Sequence, residues 1–298
     1  MADITKAVSA NDIKNGTSVT GVDGTGNVQA HFEAGKDSTS PSLSDIENKY
    51  SSRFDDIKYY FFQEDNPLAI GLVSYYTMDE ESGLRDDAVN GKDLTDNNTV
   101  GYSSGVSGGL TGTGNAANFI RANNEYLSID DAALNGLSPG DTDWSVSLWM
   151  KLNAGNFSSN QDIFGVWKTS PTNSREYLLY WKAGHTMLRF YTSEDGSTET
   201  YMNAGSTLSA DTWYHVVICH DATNDLKLMY IDGALSKSTS HTTGVYQGDA
   251  SLNIGRTHNT SNYVDGAIDE WGLWSRLLTS DEVSELYNSG DGIQVISS

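Results

Sequence analysis

The chain has 298 residues, with 18 Lys and Arg against 40 Asp and Glu, for a formal net charge of −22. So acidic a chain repels nucleic-acid phosphates and anionic lipid, which argues against a nucleic-acid or membrane partner. With 29 Gly, 16 Tyr, 7 Trp and only 4 Pro, the composition favours strands joined by polar turns over a helical bundle.

The first predicted element is a strand-and-turn segment over residues 1–30. Its core, "NDIKNGTSVTGVDGTGN", alternates small polar residues with Val and Ile and is punctuated by Asn-Gly and Asp-Gly. It has too little apolar surface to fold alone, so it is expected to dock on a partner surface or on other copies of itself. No apolar h-region heads the chain, which predicts synthesis in the cytoplasm without a signal peptide.

Residues 31–70 are predicted to form a helical spacer. In "SLSDIENKYSSRFDDIKYYFF", Ile46, Tyr50, Phe54, Ile57 and Phe61 recur at spacings of three and four. Ser44-Asp45 offers a start, and "QEDNP" breaks the helix after Phe62. Its single apolar stripe suits packing on the next domain or between copies.

From residue 71 to 298 the texture is strand and turn. "WSVSLWMKL" places Trp144, Val146, Leu148, Met150 and Leu152 on one face, with Ser145, Ser147, Trp149 and Lys151 on the other. "EYLLYWK", "TMLRFY", "WYHVVICH" and "LKLMYI" follow at short intervals, and Asp232-Gly233 is a strong hairpin turn. Many short strands without intervening helices predict a β-sandwich. One helix closes the chain: Thr279 and Glu282 form a capping box, Val283, Leu286 and Tyr287 an inner stripe, and Gly290 the stop. The one cysteine, Cys219, excludes an intramolecular disulfide and sits in an alternating strand, where a buried, inert thiol is expected.

These motifs together resemble a known family. From Leu72 to Gly292, the opening "LVSYYTMDEESGLRDDAVNGKDL", "WSVSLWMKL", "DTWYHVVICHDATNDLKLMYIDG", "LNIGR" and "VDGAIDEWGLWSRLLTSDEVSELYNSG" resemble laminin-G-like, concanavalin-A-like jelly rolls of bacterial and phage surface proteins. The segment from Asn11 to Asn27 resembles the Gly-punctuated repeats at the ends of phage tail and fibre proteins. The implied fold is an all-β jelly-roll sandwich with a short C-terminal helix, preceded by the strand-and-turn element and the helical spacer.

The hydrolases of this sandwich use a Glu-x-Asp-x-Glu strand, because a retaining glycosidase needs two carboxylates about 5 Å apart. No such strand occurs here, and Asp269 and Glu270 are adjacent, so a regular strand would point them to opposite faces. The expectation is therefore no enzyme activity. The six histidines show no metal-ligand spacing. The resemblance implies no required cofactor beyond a structural Ca²⁺, with Asp269 as one ligand and Asp79, Asp86, Asp87 and Asn90 as the others on offer. Aromatic platforms for a sugar would come from Trp167, Tyr180, Trp181, His258 and Tyr263.

The function expected from these features is a non-enzymatic phage virion surface protein: a head fibre, decoration or tail-associated protein. Its partners would be other virion proteins, held through the N-terminal segment, and a surface glycan. The protein would form a homo-oligomer, with a trimer the leading case. The alternative is a free carbohydrate-binding module or a bacterial adhesin.

Overall fold

The structure is a computed structural model that describes residues 19–22, 28–32, 66–106, 114–130, 136–257 and 261–296. The chain divides into two units, Met1–Ala69 and Ile70–Ser298. In the first, β1 (Val19–Val22) pairs antiparallel with β2 (Val28–Phe32), consistent with the Gly-punctuated alternation there. The helix expected over Ser44–Phe62 lies outside the described residues.

The second unit opens with β3 (Leu72–Tyr76), β4 (Thr95–Asn97), β5 (Gly101–Ser104), β6 (Asn115–Phe119) and β7 (Tyr126–Ile129). The long strands follow: β8 (Trp144–Leu152), β9 (Gln161–Lys168), β10 (Ser174–Lys182), β11 (Met187–Ser193) and β12 (Glu199–Asn203). Then come β13 (Tyr214–Asp221), β14 (Leu226–Ile231), β15 (Ala234–Ser240), β16 (Leu252–Ile254) and β17 (Gly266–Trp274). They form two antiparallel sheets. The front sheet has seven strands in the order β12-β11-β10-β9-β16-β7-β4. The back sheet has eight, in the order β15-β14-β13-β8-β17-β6-β5 with β3 also paired to β17.

Period-two alternation builds the core between them. From the back sheet, Trp144, Val146, Leu148 and Met150 of β8 point inward and meet Phe164, Tyr177, Leu179, Trp181 and Phe190 of the front sheet. Each such side chain contributes about 1.5–3 kcal/mol on full burial, so the all-β expectation rests on a continuous apolar interior. The β14–β15 hairpin turns at Asp232 and Gly233, whose φ of 51° and 77° are both left-handed, as a type I′ turn requires.

Helix α1 (Ser280–Tyr287) starts at the expected capping box: Thr279 Oγ1 accepts from Glu282 N, and Glu282 Oε2 accepts from Thr279 N at 2.8 Å. Its end differs from expectation. Asn288, not Gly290, takes the left-handed position with φ 45°, a conformation asparagine tolerates at low cost. The helix and the chain after it cover the outer face of the back sheet. Val283 and Leu286 are buried, and Tyr287 stacks 5.8 Å from Trp149 and 6.2 Å from His215. His215, sealed there, bonds Ser147 Oγ through Nε2 at 2.9 Å, and burial pulls its pKa down to about 3. Cys219 is buried as expected, with its thiol pushed up to about 12 by burial.

Candidate functional site

Alternation leaves a different set of residues on the outer face of the front sheet. Leu188 and Phe190 of β11 belong to the core, so Arg189 and Tyr191 point out; Met202 of β12 is in the core, so Tyr201 and Asn203 point out. The registers Tyr201↔Tyr191, Tyr191↔Leu178, Leu178↔Gly165, Gly165↔Asn253 and Asn253↔Ser128 define one row across the sheet. Aromatic rings at the β12 edge thus give way to small side chains over β9, β16 and β7.

The rings at that edge touch one another. Tyr191 lies 5.3 Å from Tyr201, 5.8 Å from Tyr180 and 6.0 Å from Trp167, centroid to centroid. Arg189 sits with Cζ 4.5 Å above the Tyr201 ring and donates to Asn203 Oδ1 at 2.7 Å and Tyr191 Oη at 3.3 Å. Tyr201 is 51% exposed, whereas Trp167, under Arg175 at 5.6 Å, is only 4% exposed. Burial pushes the Tyr180 phenol up to about 12, so it stays a neutral hydroxyl. Among the described residues no α-helix crosses this face.

A second aromatic group lies beyond β16. Arg256 Cζ stacks 3.9 Å from the Tyr126 ring and 5.4 Å from Tyr263, and its Nη1 donates to Tyr263 Oη at 2.9 Å. From β12 to β7 there are five inter-strand steps, about 24 Å at the usual spacing.

Of the predicted sugar-binding residues, Trp167, Tyr180 and Tyr263 fall in these two groups. Trp181 does not: it is 0% exposed, packs in the core 4.5 Å from Phe157, and donates Nε1–H to Phe157 O at 2.9 Å. Tyr180 and Trp181 are neighbours on one regular strand, so only one of them can face outward. His258 lies outside the described residues. Tyr191, Tyr201, Arg189, Tyr126 and Arg256 were not anticipated. The alternation in "TMLRFY" and "ETYMN" carried the signal for the first three once Leu188, Phe190 and Met202 were assigned inward.

Glu199 of β12 pairs with Arg175 of β10 at 3.2 Å, while Asp162 and Glu176 serve the loops. Asp162 accepts from Thr257 Oγ1 and from Asn262 Nδ2 at 3.2 Å; Glu176 accepts from Ser138 Oγ at 2.6 Å and Gly248 N at 2.8 Å.

The predicted calcium ligands separate into two places. Asp87 is bound to the backbone: its oxygens accept from the N–H groups of Tyr75, Val89, Asn90 and Lys92. Asn90 Nδ2 donates to Val73 O at 2.6 Å, and Asp86 is exposed. Asp79 and Asp269 instead lie at the far end of the β5–β6 pair. Asp79 Oδ1 accepts from Asn115 N at 2.8 Å, and Asp269 Oδ2 from Val106 N at 2.9 Å, leaving Asp269 Oδ1 buried without a partner. Burial, with Asp79 adding to it, pushes Asp269 up to about 7.

Strict alternation fails at Asp269–Glu270. The register with β8 shifts between Asp269 and Gly272, and Glu270 adopts φ 50°. Both carboxylates therefore feel Asp79, and Glu270 bonds Tyr75 Oη, which in turn accepts from Val295 N at 2.9 Å. Burial and Asp269 raise Glu270 well above the usual carboxylate range. Among the described residues no three His, Cys, Asp or Glu side chains converge to hold a metal. A calcium ion fits Asp269 and Asp79 only if further oxygen ligands complete its shell; Asp87 and Asn90, both engaged by backbone groups, do not fit it.

The family model of the concanavalin A-like lectin/glucanases superfamily matches residues 121–284, more than half of the chain. The chain belongs to that superfamily. No significant match to this lectin/glucanase-type chain was found among curated proteins. Among solved structures, it is similar to the binding domain of Paraclostridial Mosquitocidal Protein 1, with a TM-score of 0.58 and 15% identity over 74% of this chain and 52% of that one. The binding domain of botulinum neurotoxin DC, in complex with rat synaptotagmin II, scores 0.50 at 11% identity, over 74% and 52% of the respective chains. Domain 4 of AbnA, a GH43 extracellular arabinanase from Geobacillus stearothermophilus in complex with arabinotriose, scores 0.50 at 21% identity, over 72% of this chain and 96% of that one. The chain thus spans about half the length of the two toxin structures and nearly all of the arabinanase domain. At these identities the likeness is one of fold.

Proposed function

We propose that the front face of this lectin/glucanase-type sandwich binds a glycan without cleaving it. The observation that carries the reading is the Tyr191–Tyr201 pair with Arg189 above it, on a face that no described helix covers. Exposed aromatic rings offer apolar area to sugar C–H groups, while Arg189, Asn203 and the tyrosine hydroxyls supply oriented polar contacts. Leu178 and Asn253 further along the row are buried, so the accessible part of this face is the β11–β12 edge around Tyr201. The absence of a Glu-x-Asp-x-Glu strand, and the engagement of Asp162 and Glu176 by loop donors, support a non-catalytic role. The arabinanase domain of like extent, solved with arabinotriose, makes that trisaccharide a sensible first probe. Titration of arabinotriose, followed by a glycan array, tests the reading. Saturable binding lost in Tyr201→Ala and Tyr191→Ala supports it, and binding unchanged in both variants refutes it.

The sandwich is further proposed to be displayed on a phage virion, as a homo-oligomeric, trimeric surface protein attached through its N-terminal segment. The support is the Gly-punctuated Asn11–Asn27 pattern and the β1–β2 strand pair, a unit small enough to need a partner surface. Deleting residues 1–30 should leave a folded, soluble protein that no longer joins particles. Glycan binding with no particle association in the intact chain would instead favour a free carbohydrate-binding module or adhesin. A structural Ca²⁺ held by Asp269 and Asp79 belongs to the same proposal, supported by the orphaned Oδ1 of Asp269. A native-state ion must raise the melting temperature by linkage, so identical melting in calcium and in EDTA would exclude it.

A further inference from the structure

At the β12–β15 edge of the sandwich lies an interior group that the glycan reading does not use. Lys227 of β14 shares its face with Met229 and Ile231, so its side chain runs inward between the sheets and is 2% exposed. Its Nζ donates to Thr200 Oγ1 at 2.8 Å and lies 5.7 Å from the Phe190 ring centroid. A long cationic side chain at an edge strand usually reaches water, and this one does not.

A cavity of about 140 Å³ adjoins it, lined by Lys227, Thr200, Tyr201, Thr239, Ser240 and His241 among others, so its mouth borders the proposed glycan face at Tyr201. Among the described residues no Asp or Glu lines this cavity, although the chain carries a net charge of −22. The neighbouring ionisable groups are His220, directly opposite Lys227 in the β13–β14 register, and His241, 5.3 Å from His220. His220 Nε2 is bound by Asp141 Oδ1 at 2.8 Å, with Asp143 behind it; His241 Nε2 is shared between Thr192 Oγ1 at 3.2 Å and Gly244 O at 3.0 Å. Burial lowers both imidazoles, His241 to about 4, so neither carries charge at neutral pH.

We propose that this cavity is a carboxylate-binding site, with Lys227 Nζ as the charged partner and the lining hydroxyl residues as neutral donors. A buried ammonium without a counter-ion is costly, and an incoming anion removes that cost through a charge-assisted hydrogen bond. Asp141 sits half in water behind His220, so among the residues that line the cavity Lys227 carries the charge, and one negative charge balances it. A dianion such as sulfate would leave a buried charge uncompensated. Burial alone holds Lys227 near 7, so the free site exchanges its proton around neutrality and the anion-bound site keeps it. Affinity must therefore fall as pH rises above 7.

The carboxylate can come from a small free acid or from an acidic sugar, and the probes separate these. The full chain, labelled with ¹³C at lysine Cε, is titrated with sodium acetate, methyl glucuronide, methyl glucoside and sulfate at pH 6 and pH 9. Acetate at pH 6 should shift the Lys227 signal saturably and raise its titration midpoint, with affinity roughly a hundredfold weaker at pH 9, about 2.8 kcal/mol. Methyl glucuronide doing the same while methyl glucoside does nothing identifies an acidic sugar as ligand; acetate acting alone identifies a small acid. Lys227→Met should abolish acetate binding and Thr200→Val should weaken it, in proteins whose near-ultraviolet spectra match the wild type. If Lys227→Met does not fold, the wild-type Lys227 signal remains the measure. The proposal is overturned if neither carboxylate moves that signal, if Lys227→Met binds acetate as well as wild type, or if sulfate binds more tightly than acetate.

Discussion

On the back sheet, Trp149 points outward from β8 and is 3% exposed, roofed by Tyr287; on the front sheet, Tyr201 points outward from β12 and is 51% exposed. Both are aromatic residues on the outer side of a regular antiparallel strand. The difference comes from the chain after Trp274, which turns back over one sheet only. Arg276 anchors that return, donating to Ile70 O at 2.6 Å and pairing with Glu282 at 2.7 Å. An outward aromatic is thus a core residue of a second, smaller layer or part of an open face, according to where a distant segment lands.

Trp149→Ala should strip the covered face of its largest contact. Removing the ring from beneath Tyr287 and beside His215 should cost about 3–5 kcal/mol, read as a lower urea midpoint at unchanged slope. A loss below about 1 kcal/mol would mean the C-terminal layer is not packed as described.

His215 sharpens the contrast through pH. Its folded pKa, near 3, is depressed below the ordinary 6.5, so between these values the unfolded chain binds the extra proton. Stability contributed by neutral His215 is therefore full above pH 6.5 and drains away as pH falls towards 3. His215→Gln should flatten this part of the stability–pH curve in chemical denaturation; an unchanged slope from pH 6.5 to 4 would show that His215 is not sealed.

A smaller loss is expected at the entry to the covering layer. Thr279→Ala removes the capping box and should cost about 1 kcal/mol, with Thr279→Ser restoring most of it in the same unfolding assay. The smallest stability effect belongs to the open face. Tyr201→Ala should change stability by less than about 0.5 kcal/mol while weakening arabinotriose, or the best array ligand, by roughly tenfold. A variant that is destabilised instead would make Tyr201 a structural residue and remove the contrast between the faces.

Much of the architecture was legible in the residues. The alternation of "WSVSLWMKL" assigns Trp144, Val146, Leu148 and Met150 inward, the Asp232-Gly233 pair marks the hairpin, and Thr279 with Glu282 marks the helix start. Each is a local rule: pleat geometry, left-handed φ, and capping of free N–H groups act over a few residues. The site was less legible. Trp181 looked like a platform until its strand register placed it in the core, and Asp87 looked like a metal ligand until four backbone N–H groups occupied it.

By itself, then, the sequence determined the strands, the turns, which side chains share a face, and the family. Only the tertiary structure decided which edge lies open, that a bulge at Glu270 breaks the alternation at Asp269 and Glu270, and that Lys227 ends in a cavity where no described residue is an acid. The reason is range. Alternation and capping are set by neighbours along the chain, whereas exposure and charge pairing are set by segments far apart in sequence, such as Tyr287 over Trp149 or Thr200 beside Lys227.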